Sequence, residues 1–136
     1  MSLLDAGKIC TFSPVKAKLT LNGEPAVGAQ VTRKTEWKDP VVDTTETDSA
    51  GEFSFSGNYE KSVKKFLPIE IMISQQILVT YQGETYEIWA NGKMSADENS
   101  ELDSLPLNLT CELTEEIRTH RTPSSLILTN CHWEEK

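Results

Sequence analysis

No apolar run in these 136 residues approaches the roughly 18 needed to cross a bilayer as a helix, so membrane insertion is not expected. The opening MSLLDAGKIC holds only Leu3-Leu4 before Asp5 interrupts it, too little for a signal peptide. The expected location is therefore cytoplasmic, with a specialised export route left open. Histidine is reduced to His120 and His132, and cysteine to three residues, so at least one thiol is unpaired and the chain is no disulfide framework. There is no Gly-x-Ser-x-Gly elbow and no Gly-rich phosphate loop, which removes the best-marked hydrolase and nucleotide-binding classes. Basic charge is also short. The net charge is −8, with the acids concentrated in residues 41–60 and 97–136, and such a surface repels phosphate, so nucleic acid is not an expected partner.

The groups that remain do not converge on a reaction. Cys131 and His132 are neighbours on an extended segment and point to opposite faces. Cys111 sits in phase with Leu105, Leu107, Leu109 and Leu113, on an apolar face where a thiolate is disfavoured. Cys111, His120, Cys131 and His132 are zinc-type ligands, but no short Cys-x-x-Cys spacing pre-organises them. The acidic run Asp97, Glu98, Glu101, Asp103 lacks the central Gly of a calcium loop. No catalytic residue, metal or cofactor is assigned. The alternative reading is a metal-dependent or hydrolytic enzyme using His120, His132 and a cysteine. A Cys111–Cys131 bridge is a further possibility, which would suit an extracytoplasmic accessory domain.

What the sequence has in quantity is alternation. Val15, Ala17, Leu19 and Leu21 alternate with Lys16, Lys18 and Thr20, a strand with one buried face. Asn22-Gly23 then marks a tight turn, because both residues accept positive φ. Gly28 precedes a strand beginning at Ala29, and Trp37 lies in the polar loop 34–40. Asp48-Ser49-Ala50-Gly51 has Asp and Gly at the first and fourth places of a type I turn, and Phe53 and Phe55 return to the core. Residues 61–65 read as a basic linker. Ile69, Ile71, Ile73, Ile77, Val79 and Tyr81 share one parity, with a bend or bulge expected at Ser74–Gln76. Tyr86, Ile88 and Ala90 continue the inward face on the partner strand, which puts Trp89 outside. Residues 91–104 read as a mobile acidic loop, Thr114 as the cap of a short helical turn, and Leu126–Trp133 as the last strand. The sum is a single all-β domain over 1–136 with an N-terminal lead, 1–11. It is a sandwich of seven to nine mostly antiparallel strands with at most one short helical turn.

Two motifs carry a family resemblance. Asn22-Gly23-Glu24-Pro25-Ala26-Val27-Gly28-Ala29-Gln30-Val31 resembles the Gly-x-Pro-x-x-Gly-Ala-x-Val opening of carboxypeptidase regulatory-like domains, and Thr47–Phe55 resembles their Thr-Asp-x-x-Gly-x-Phe-x-Phe hairpin. The resemblance implies a transthyretin-like, or prealbumin-like, sandwich in which Asn22, Gly23, Gly28, Asp48 and Gly51 serve backbone turns. It covers about residues 12–60. The tail Trp133-Glu134-Glu135-Lys136 lacks the Tyr-Arg-Gly-Ser type ending of the transthyretin-like hydrolases. The whole chain is similar to small bacterial proteins with a Phe-Ser-Pro-Val lead, here Phe12–Val15, and related sandwiches occur beside secretion-system toxins. The resulting expectation is a non-enzymatic interaction module, an accessory, adaptor or immunity protein, whose partner is another protein. The expected contact residues are Trp37, Trp89, Asp97, Glu98, Glu101 and Asp103.

Overall fold

The computed structural model describes residues 7–61 and 71–134. Most of the basic linker 61–65, Ile69 and the last two residues lie outside them. The described residues form thirteen strands: β1 Lys8–Phe12, β2 Val15–Leu21, β3 Glu24–Pro25, β4 Gln30–Glu36, β5 Pro40–Glu46, β6 Glu52–Phe55, β7 Asn58–Lys61, β8 Ile73–Tyr81, β9 Glu84–Lys93, β10 Leu107–Glu112, β11 Arg118–Thr122, β12 Ser125–Thr129 and β13 Cys131–His132. The number exceeds nine because β3 and β13 are two-residue pieces, and because the N-terminal lead and residues 118–122 are strands themselves. No helix is present among the described residues, so none there is long and apolar enough to cross a membrane. Around Thr114 the chain makes a turn closed by Glu115 N to Glu112 O at 3.0 Å, and it then enters β11.

Two sheets form the sandwich. One runs β13-β10-β2-β3, with β6 also on β2; the other runs β11-β12-β9-β8-β4-β5. All pairings are antiparallel except β10 on β2, and β1 pairs with β7 apart from both sheets. The inner faces supply the alternating apolar residues: Val15, Ala17 and Leu19 from β2, Leu107, Leu109 and Cys111 from β10, and Val31, Ile77, Val79, Ile88 and Ile127 from the other sheet. Cys111 and Cys131 face each other across β10 and β13 and are joined, with Cα atoms 4.2 Å apart. Run 126–133 is therefore two strands in two sheets: β12 lies on β9 and β13 on β10.

One irregularity decides which side chains face out. In the β8–β9 ladder Ile77 pairs with Trp89 but Leu78 pairs with Glu87, so Ile88 is an extra residue in β9. The expected bulge at Ser74–Gln76 is absent; β8 runs straight through, and Gln75 is in phase and buried. A bulge inserts one residue and reverses the alternation beyond it. Ile88 and Trp89 are therefore both buried, and the next inward positions are Asn91 and Lys93. The expectation that Trp89 is outside is corrected by this reversal: its exposure is 0%.

Candidate functional site

The same reversal turns Ala90, Gly92 and Met94 outward. Register across the six-stranded sheet then aligns two outer rows, Val42-Lys34-Gln76-Ala90-Leu128-Thr119 and Pro40-Glu36-Ser74-Gly92-Leu126-Arg121. The middle of each row is short-chained or half-buried, while the flanks carry long side chains. The result is a trough of about 650 Å³, lined mainly by apolar surface and open on the side away from the sheet. Lys34 and Glu36 form one wall, and Leu126 and Leu128 the other. Met72 and Met94 stand just past the strand ends, beyond Ser74 and Gly92; the Met72 sulfur lies 3.1 Å from where a Cβ on Gly92 would be.

The face is more apolar than polar, although Lys34, Glu36 and Arg121 stand on it. Among the described residues eight large hydrophobic side chains are exposed; Val42, Leu126 and Leu128 line the trough, and Met72 and Met94 flank its end. Scattered apolar residues are ordinary; a group along one concave face is less so.

Behind the floor lies a buried polar cluster that sequence alternation does not disclose. Gln75 Oε1 accepts from Trp89 Nε1 at 3.2 Å and Asn91 Nδ2 at 2.9 Å, while Gln75 Nε2 donates to Glu101 Oε2 at 2.9 Å and to Thr11 O at 3.1 Å. Glu101 also accepts from the Ser13 amide at 2.9 Å and its hydroxyl at 2.6 Å. Lys93 Nζ donates to Cys10 O at 2.6 Å, Asp97 O at 2.8 Å and Ser95 O at 3.0 Å. Burial pushes the Lys93 ammonium below its usual range, with Glu101 opposing, and pushes the Cys10 thiol up. Among the described residues only Asn91 Oδ1 of this cluster is left without a partner; the other groups bond to one another and hold segment 94–105 and β1 against the sheet.

The contact residues expected from sequence separate accordingly. Trp89 and Glu101 come together through Gln75, inside the protein, so neither can meet a partner. Residues 91–104 are not a solvated loop throughout: 91–93 belong to β9, and Glu101 and Leu102 are buried. Asp97, Glu98 and Asp103 are exposed, and Glu98 accepts from the Tyr59 hydroxyl, a bond that raises the Tyr59 pKa. Trp37 is half-buried at the β4–β5 turn, with Lys38 Nζ 5.2 Å from its ring centre. The five turn residues sit at bends: Asn22, Gly23, Gly28 and Gly51 have positive φ, and the Asp48 carboxylate accepts from the Ala50 and Glu52 amides at 2.9 Å.

The groups invoked for an enzyme do not meet either. His120 packs edge-on against Trp133 with ring centres 4.9 Å apart, His132 contacts Glu115, and Cys111 and Cys131 are bonded to each other. Among the described residues no cluster of three His, Cys, Asp or Glu side chains is arranged to hold a metal ion.

Comparison with curated proteins and with solved structures finds no match to the chain. Residues 15–116 match a protein family described as a domain of unknown function, DUF6795. The matched stretch runs from β2 to the turn after β10. It includes the trough floor and the β4–β5 wall, while β11 and β12 lie beyond it. With well over half of its length matched, the chain belongs to the DUF6795 family.

Proposed function

We propose that this protein is a non-enzymatic β-sandwich interaction module whose contact surface is the outer trough of the six-stranded sheet. The observation that carries the reading is the concave outer face itself, lined mainly by apolar surface, with the exposed Val42, Leu126 and Leu128 along it and Met72 against Gly92 at one end. The partner is another protein, because an open apolar trough needs an occupant that brings its own cover. Resemblance of segments 22–31 and 47–55 to carboxypeptidase regulatory-like domains supports a transthyretin-like ancestry. The similarity to bacterial sandwiches found beside secretion-system toxins supports an accessory, adaptor or immunity role. Affinity capture tests the surface with three baits: wild type, Val42→Asp/Leu128→Asp and Trp37→Ala. The trough variant loses a protein that the other two retain; loss with Trp37→Ala alone would overturn the reading.

A second reading concerns compartment. The Cys111–Cys131 bridge favours an oxidising environment reached by specialised export over the reducing cytoplasm. Thiol counting on protein from its native cell, denatured under alkylation, checks this: one free thiol supports it, and three reject it.

A further inference from the structure

We infer that the trough receives an amphipathic α-helix from a partner protein, with aliphatic side chains on the floor and carboxylates over Lys34 and Arg121. The inference rests on the trough being the contact surface and adds what fills it.

Width comes first. The walls stand on β4 and β12, three strand spacings apart, or about 14 Å. A helix with its side chains measures about 10–12 Å across. Of the four floor positions between the walls, Ser74, Ala90 and Gly92 present almost no side chain, and the fourth, Gln76, bonds to Glu87. Along β8 the outward positions from Met72 to Leu78 cover about 20 Å, which matches about 13 residues of helix. At one end the exposed thioethers of Met72 and Met94 supply an unbranched, polarizable surface that adapts to a ridge of aliphatic groups.

Shape argues against a second copy of this chain. Two concave faces set together would place Ser74 and Ala90 over an empty space, and interfaces pack as densely as protein interiors. Openness argues against a small ligand, which needs a pocket enclosing most of its surface. A sheet with an apolar outer face finds its cover in another layer of secondary structure, and helices supply the convex form.

Charge selects the helix. The trough has two cations, Lys34 on one wall and Arg121 on β11 beside the other, and one acid, Glu36. Among the described residues neither cation forms an ion pair. This cationic pair stands on a chain of net charge −8. A helix with Glu or Asp on both sides of its apolar stripe places carboxylates over both cations, whereas a lysine-flanked helix is repelled.

The test is a photo-crosslinking residue, p-benzoylphenylalanine, placed at Met94 and, in separate proteins, at Trp37 and Asp103, with expression in the native cell. Mass spectrometry then maps each adduct. The expected result is a Met94 adduct on a segment with apolar residues at i, i+3 or i+4, and i+7, flanked by acids. A synthetic peptide of that segment gains helicity when the protein is added. Lys34→Glu/Arg121→Glu weakens its binding about tenfold or more, and Glu36→Gln does not weaken it. A Met94 adduct on a lipid, on another copy of the chain, or on a segment that stays non-helical or is basic overturns the helix while leaving the trough in use. Adducts from Trp37 or Asp103 with none from Met94 overturn the trough reading itself.

Discussion

Glu112, at the end of β10, gathers five donors onto one carboxylate: Gly23 N at 2.8 Å, Asn22 N and Thr114 N at 3.0 Å, and the hydroxyls of Thr114 at 2.7 Å and Thr20 at 2.9 Å. Partial desolvation raises its pKa, but the hydrogen bonds from Thr114, Gly23 and Asn22 outweigh that and hold it at about 2. The folded state therefore keeps the charge where the unfolded chain, near 4.5, has taken up a proton. The resulting stabilisation is complete above pH 5 and is lost as pH falls toward 2. Glu112→Gln should lower the melting temperature at pH 7 and flatten its decline between pH 5 and 2.5; equal slopes in the two proteins would rule the account out. Gly51 is a second residue whose identity is set by its surroundings. Its φ is +78°, and a Cβ there would meet Leu19 O at 2.6 Å and Ala26 N at 3.1 Å. Both contacts are backbone and cannot swing away, so Gly51→Ala should destabilise by about 2 kcal/mol or more in denaturant titration.

β9 is the element on which the reading of the surface turns. Its hydrophobic pattern, Tyr86-Ile88-Ala90, is legible as a strand, and so are the alternating β2, β8 and β10 and the Asp48–Gly51 turn. These signals are local, carried by period and by turn chemistry. The bulge at Ile88 has no such signature. Gly and Pro are absent around it, and its effect, the exchange of Ala90 and Gly92 for Trp89 and Asn91 on the inner face, comes from pairing with β8. Alternation alone therefore hides the trough, sets Trp89 at a surface and leaves Glu101 in solvent when it lies beside Gln75. A polar residue in phase with a core, as Gln75 is, is the one available sign. The element-scale prediction concerns the floor. Gly92→Val adds bulk where the nearest atom is the flexible end of Met72, so the fold should accommodate it. The melting temperature should move by a few degrees at most while partner capture fails. Capture at wild-type level would show that the floor is not covered in the complex.

For the whole molecule, the pairing least readable from sequence is the one that closes it. β10 lies parallel to β2, with Leu107 opposite Val15 and Glu112 opposite Thr20, and the C-terminal strand β13 adds only two residues to β10. A two-residue strand is a weak anchor, yet the chain stays docked beyond it. Trp133 packs on His120 and 5.5 Å from the Arg118 guanidinium, and Arg118 donates to Cys131 O at 2.6 Å. The Cys111–Cys131 bond supplies the anchor. The bond lies within one sheet, and because the chain passes from β12 in the other sheet directly into β13, it fixes the point at which that chain crosses between the sheets. It closes a loop spanning 20 residues in sequence. Closing a loop of that size restricts the unfolded chain and contributes about 3 kcal/mol, worth on the order of 10 °C in melting temperature for a domain of this length. Cys111→Ser/Cys131→Ser should show that loss without reductant, and reduced wild-type protein should match it. Trp133 should then become more accessible to acrylamide, read in a background with Trp37 and Trp89 replaced by Phe. Unchanged melting and quenching would mean that β13 is held on β10 by packing alone and that the bridge has no part in anchoring it.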